Sequence, residues 1–154
     1  MEELDQRICN QILERVDTSL RKHVSTVYAG DALPHAIVGH LRVLDYLVTS
    51  RYHACVLSMA GHVPQMALYH DERLISIFRE LGLDRFAISY HTTLLGHALL
   101  EGFDALVQEA DWQRAHIANR LCSVFLPRCS ENRAVLRDWG AQAFGLHMET
   151  TGRT

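Results

Sequence analysis

Apolar residues along this chain recur mostly every three to four positions, a spacing that predicts helix nearly throughout. Leu4, Ile8, Ile12, Val16 and Leu20 step by four and mark one face of a first helix that ends before Gly30. Asp31-Ala-Leu-Pro34 opens a second helix, with proline in the first turn, where its missing N–H is harmless. The apolar positions of that helix include Ile37, Leu41, Leu44, Tyr46 and Leu47. A third helix, about Arg51 to His62, is apolar nearly all round and belongs in the core, and Pro64 stops or redirects it. Asp71 stands where it can cap a fourth helix, ERLISIFRELG, with Gly82 as the stop.

Asp84 is placed to cap the next segment, which carries Phe86, Ile88, Leu94, Leu95 and Leu99 and breaks near Tyr90-His91. Gly102 separates it from FDALVQEA, Trp112 to Phe125 form another helix ended by Pro127, and Ser130 caps the last, ENRAVLRDWGAQAF. The tail METTGRT reads as frayed. No alternating strand, repeat or linker is visible. The expected fold class is all-α, a single globular domain over 1–154 with six to seven helices in an irregular bundle. Its parts are an N-terminal helix region (1–30), a core (33–125), a C-terminal helix (130–146) and a tail (147–154).

Composition narrows the function classes. With 154 residues, 48% of them hydrophobic, the chain can bury a real core. A net charge of -3 carries no polycation signature, so nucleic acid is not the expected partner. Lys22 is the single lysine, leaving arginine to supply the positive charge and to suit planar carboxylate or phosphate contacts. Cys9, Cys55, Cys122 and Cys129 form no CxxC, and Cys55 and Cys122 sit in apolar stretches. The acidic start lacks a signal-peptide core and no run reaches about 18 apolar residues. The expectation is a soluble, cytoplasmic protein that engages no membrane.

Histidine is the outlier: there are ten, several-fold more than usual for this length. Histidine is both the commonest metal ligand and the usual acid–base group near neutral pH. A metal site needs ligands converging from two or three elements. His40 lies mid-way along the second helix and His62 closes the third. A short antiparallel turn would bring them to similar depth. His97 has Glu101 one turn on, and His116 neighbours Asn119. His23, His53 and His147 read as surface residues.

The order of these residues resembles the HD-domain superfamily over roughly 33–125. His40-Leu-Arg-Val-Leu is similar to the first-histidine helix of that family, and Ala-Cys-Val-Leu-Ser-Met-Ala-Gly-His62 to the apolar run into its His-Asp doublet. Ala115-His-Ile-Ala-Asn119-Arg resembles its late helix, where the family usually has aspartate. Position 63 is valine instead of the doublet's aspartate, so the pattern looks like an eroded branch. A second alignment uses His70-Asp71, preceded by Gln65-Met-Ala-Leu-Tyr69, with Asp104 or Asp111 as the late acid.

The resemblance implies a metal set of His40, His62, His97 and Asn119, with iron, zinc, manganese, nickel or copper as the suited divalent metals. His70, Asp71, His35 and His91 are the candidate catalytic residues, and Arg42, Tyr69 and Arg120 the candidate substrate contacts. Three functions stay open. One is a small-molecule enzyme with a histidine-rich pocket, a hydrolase or a non-haem-iron oxygenase with an altered ligand set. Another is a metal-free isomerase or cyclase using the same histidines for acid–base chemistry. The third is a non-catalytic ligand-binding or dimerisation module, with the first helix as a homodimer surface. Glycine-rich phosphate loops and GxSxG are absent, and Cys55 lies too deep to be a nucleophile.

Overall fold

The computed structural model describes residues 2–25 and 34–144. The tail METTGRT and the expected start of the second helix at Asp31 lie outside the described residues. By its contacts the chain divides into two compact units, Met1–His40 and Leu41–Thr154. The fold is predominantly helical, as the periodicity predicts. Among the described residues no helix is long and apolar enough to cross a membrane.

In the first unit, helix α1 spans Glu2–Arg15 and stops short of the expected Leu20. Asp17 explains the stop. Its Oδ1 accepts from the Ser19 N–H (2.8 Å) and hydroxyl (2.6 Å), an alternative to helical bonding that short polar side chains offer. Arg21 then reaches back to the carbonyls of Glu14 (2.6 Å) and Val16 (3.0 Å), which satisfies the helix end. Helix α2 spans Pro34–Arg42, opening on proline as expected, and straddles the boundary of the two units.

The second unit holds what the periodicity does not predict: a parallel sheet. Its strands are β1 (Leu47–Thr49), β2 (Gln65–Tyr69) and β3 (Ala87–Ser89), in spatial order β1-β2-β3. Helix α3 (Tyr52–Met59) links β1 to β2, and helix α4 (Glu72–Leu81) links β2 to β3. Leu47 pairs with Gln65, and Ala67 with Ala87. Leu47 therefore opens a strand instead of closing the second helix, and Gln65 to Tyr69 is strand instead of a short helical run. Gln65, Met66 and Ala67 are buried, the near-continuous burial typical of a central parallel strand.

Helix α4 forms as its sequence dictates. Asp71 Oδ1 accepts the Leu74 N–H (3.2 Å) as N-cap. Gly82 takes φ +73° at the other end, and Leu83 N–H bonds the Phe78 carbonyl at 2.8 Å in a Schellman stop. Its buried face, Leu74, Ile75, Ile77, Phe78 and Leu81, forms the middle of the core with Cys55, Met66, Phe86, Leu106 and Ile117.

Four expected helix signals act differently. Asp84 makes no side-chain cap and begins a single 3-10 turn, Asp84–Phe86, that feeds β3. Gly102 sits inside helix α5 (Leu95–Gln108) instead of ending it. A Cβ there would come within 2.9 Å of Ile88 Cδ1 and 3.1 Å of Met66 Cε, so glycine permits close helix-to-sheet packing. Pro127 does not terminate a helix. Helix α6 (Ala110–Arg120) passes through a π turn, Leu121–Phe125, into helix α7 (Leu126–Phe144). The wider turn relieves the clash between a proline ring and the carbonyl four residues back, that of Ser123. Ser130 is no cap, because its hydroxyl donates to the Leu126 carbonyl (3.0 Å) within α7.

One buried polar link fixes α6 to the sheet. Gln113 Oε1 accepts the Gln65 N–H at 2.9 Å, and both residues are fully buried. Gln113→Ala should leave that backbone donor without an acceptor and cost about 1–3 kcal/mol. Urea unfolding should show a lower midpoint at unchanged slope.

Candidate functional site

In open parallel sheets, ligands bind outside the carboxyl ends of the strands where the strand order reverses. The order β1-β2-β3 has no reversal, so what this sheet offers at that edge is its loops. Here three such loops lie at one edge. After β1 come Arg51, Tyr52 and His53, after β2 His70 and Asp71, and after β3 Tyr90 and His91. Local hydrogen bonds hold each loop. Thr49 Oγ1 accepts the Arg51 N–H at 2.9 Å, and Ser89 Oγ accepts the His91 N–H at 3.2 Å. The Tyr90 N–H bonds the Tyr69 carbonyl at 3.0 Å, carrying the strand pairing one residue further. The rings of His70 and Tyr90 meet edge to face at 5.9 Å.

A cavity of about 430 Å³ opens beside this edge, lined by Tyr52 and His53 of α3 and by Glu72, Arg73, Ser76, Ile77 and Glu80 of α4. The two helices present unlike ends to it. The first turn of α4 is capped by a carboxylate. The first turn of α3 has no side-chain cap, so its N–H groups keep the positive end of the helix dipole.

Asp71 is held below the usual carboxylate range, first by its hydrogen bond from Arg73 (3.0 Å) and then by the Leu74 N–H. A carboxyl whose folded pKa is depressed stabilises the fold above its unfolded value, and that contribution is lost as pH falls through the folded value. Wild type should therefore exceed Asp71→Ala in melting temperature near neutral pH. The gap should shrink as pH drops below about 4. Thermal unfolding at several pH values checks this. Cys55 is buried and its thiol is pushed up to about 12 by burial, so it is no nucleophile at neutral pH.

The other predicted residues are dispersed. His35 and His40 are exposed on α2 in the first unit. His62 does not end helix α3, which stops at Met59. It occupies a turn before β2 at φ +54°, half-buried, and lines a cavity of about 550 Å³ beside α3. His97 is exposed on α5 and pairs with Glu101 (Nδ1 to Oε2, 3.1 Å), the one-turn neighbour the spacing indicates. Asn119 is exposed on α6, where its carbonyl accepts from the Ser123 hydroxyl. Arg42 is exposed, and its backbone abuts Gly61 so closely that a Cβ on Gly61 would lie 2.6 Å from the Arg42 carbonyl oxygen. Tyr69 is half-buried at the end of β2.

Arg120 serves the fold. Its guanidinium bonds the Glu80 carbonyl, while His116 Nε2 meets the Leu81 carbonyl at 2.6 Å, so α6 caps the C-terminal end of α4. Among the described residues, no group of three or more His, Cys, Asp or Glu could hold a metal ion.

Of the predicted residues, His70, Asp71, Tyr69 and His91 stand at the carboxyl edge. Arg51, His53, Arg73 and Ser76 were not among the candidates, and His53 reads from sequence as plain surface. The signal that could have found them is the repeated order of apolar run, basic or histidine pair, and helix, once Leu47–Thr49 and Gln65–Tyr69 are taken as strands. No family model, no curated protein and no solved structure matches this chain.

Proposed function

We propose that this chain binds a small phosphate monoester at the carboxyl edge of its parallel sheet. The observation that carries the reading is a cavity of about 430 Å³ that His53, Arg73 and Ser76 line, next to the edge where Arg51, His70, Tyr90 and His91 leave the strands. The uncapped first turn of α3 and the His53 side chain offer N–H donors to an anion. The facing helix lines the cavity with Arg73 and Ser76 and with the carboxylates of Glu72 and Glu80, which Arg79 (3.9 Å) and Arg128 (3.5 Å) approach. Asp71 is already engaged by Arg73 and the Leu74 N–H, so its charge is largely answered within the protein.

Of the functions open from sequence, the metal-free acid–base one gains most support, with His53 and His70 in place of His40, His62 and His97. His53, which lines the cavity, is the group offered for proton transfer to a bound ester, and His70 stands beside Tyr90 at the same edge. A metal-dependent version has less support, because the candidate ligands do not gather among the described residues. Titration with butyl phosphate tests the binding claim. Saturable one-to-one binding that weakens with added salt is expected. Absence of saturation below about 10 mM would remove it.

A further inference from the structure

A second cavity adjoins the one beside the carboxyl edge. Tyr52, Ile77 and Glu80 line both, and the second measures about 550 Å³. The chemistry changes across that shared wall. The first cavity carries His53, Arg73 and Ser76 with the carboxylates of Glu72 and Glu80, while the second is mostly apolar, its ionisable side chains being His62, the shared Tyr52 and Glu80, and two cysteines. The second runs between α3 and the junction of α6 with α7, against Val56, Met59, Leu121, Phe125 and Leu126. The π turn supplies Leu121, Cys122 and Phe125 to this apolar wall, and such turns often mark functional sites. Each volume lies within the 300–1,000 Å³ range of small-ligand pockets.

We infer that the two cavities form one site for an amphiphile, with an anionic head in the first and an aliphatic chain in the second. The inference rests on the phosphate-ester reading and names the substrate class for the same site. The shared residues Tyr52, Ile77 and Glu80 make the two cavities neighbours, which places head and chain within the reach of one molecule. Burying a methylene in the second cavity should tighten binding about three- to fourfold. Two thiols report occupancy, because Cys122 and Cys129 line the second cavity and are exposed to reagents. Cys55 is buried and unreactive, and Cys9, in the other unit, is an internal control.

The test compares inorganic phosphate with butyl, hexyl and octyl phosphate below their micelle concentrations, using the full chain. Affinity should rise about three- to fourfold per methylene from butyl to octyl. Octyl phosphate should slow alkylation of Cys122 and Cys129 but not of Cys9, and inorganic phosphate should protect none. Cys129→Trp, an exposed change that fills the cavity from its rim, should keep helicity while abolishing the chain-length dependence. Chain-independent affinity with butyl phosphate still bound would overturn the amphiphile and spare the head site, whereas failure of every ester would overturn both. Protection of the thiols by self-association, lost on dilution without ligand, would assign the cavity to a second copy and also overturn the proposal.

Discussion

Phe78→Ala should cost about 3–5 kcal/mol, the largest stability loss expected from a single side chain here. Phe78 is fully buried on α4 at the centre of the core cluster, and its carbonyl carries the stop of that helix. Removing the ring leaves a cavity that Met66, Leu74 and Phe86, already in contact with other elements, cannot easily fill. Against a typical total of about 5–15 kcal/mol, the loss takes a large fraction of the stability. Val135→Ala on α7, where the side chain is 67% exposed, should stay within about 0.5 kcal/mol. Urea unfolding of both variants checks the contrast. A cost below about 1 kcal/mol for Phe78→Ala would mean that the core does not centre on α4.

The second large effect is on binding. His53→Ala should weaken butyl phosphate about tenfold, in line with the loss of one charge-assisted hydrogen bond. Arg73→Ala combined with His53→Ala, both in the cavity wall, should weaken it about a hundredfold, less if the two share one contact. His40→Ala and His97→Ala should change nothing, since His40 belongs to the other unit and His97 is exposed and paired with Glu101. Calorimetric titration of the four proteins separates the outcomes. If His40→Ala or His97→Ala carried the loss instead, the ligand would sit with the histidines that helix spacing alone selects.

Part of this architecture was legible from residues. Helix α4 announces itself through the Asp71 cap, the apolar spacing of Leu74, Ile75 and Phe78, and the Gly82 stop, and all of these act as read. Pro34 opens α2 as expected. The strands were not legible because β1 and β3 have only three residues and β2 five. β2 is buried without alternation and the three residues of β1 or β3 are too few to show a period, so none of them can be told from a helix turn. Pro127 and Gly102 misled for another reason: each has its usual local preference overridden by a tertiary fit, a π turn in one case and contact with Met66 and Ile88 in the other.

The site follows the same logic. The His70-Asp71 pair is visible as a doublet, but its place at the end of a strand gives Asp71 a capping role and leaves His70 at the edge. Arg51 and His53 gain meaning only when β1 is a strand, because the carboxyl edge exists only as a property of the whole sheet. His62 looked like the end of a buried helix. In the fold it is a turn residue in the left-handed region, three residues before the strand that leads to His70.

The central claim is that the carboxyl edge of this sheet is the ligand site. Backbone amide shifts of the isotopically labelled chain, followed during titration with butyl phosphate, test it most directly. The largest changes should fall at Arg51 to Ala54, at His70 to Arg73 and at Tyr90 to His91. Changes confined to the opposite edge, at Leu47, Gln65 and Ala87, or to the α2 residues His35 and His40, would contradict it.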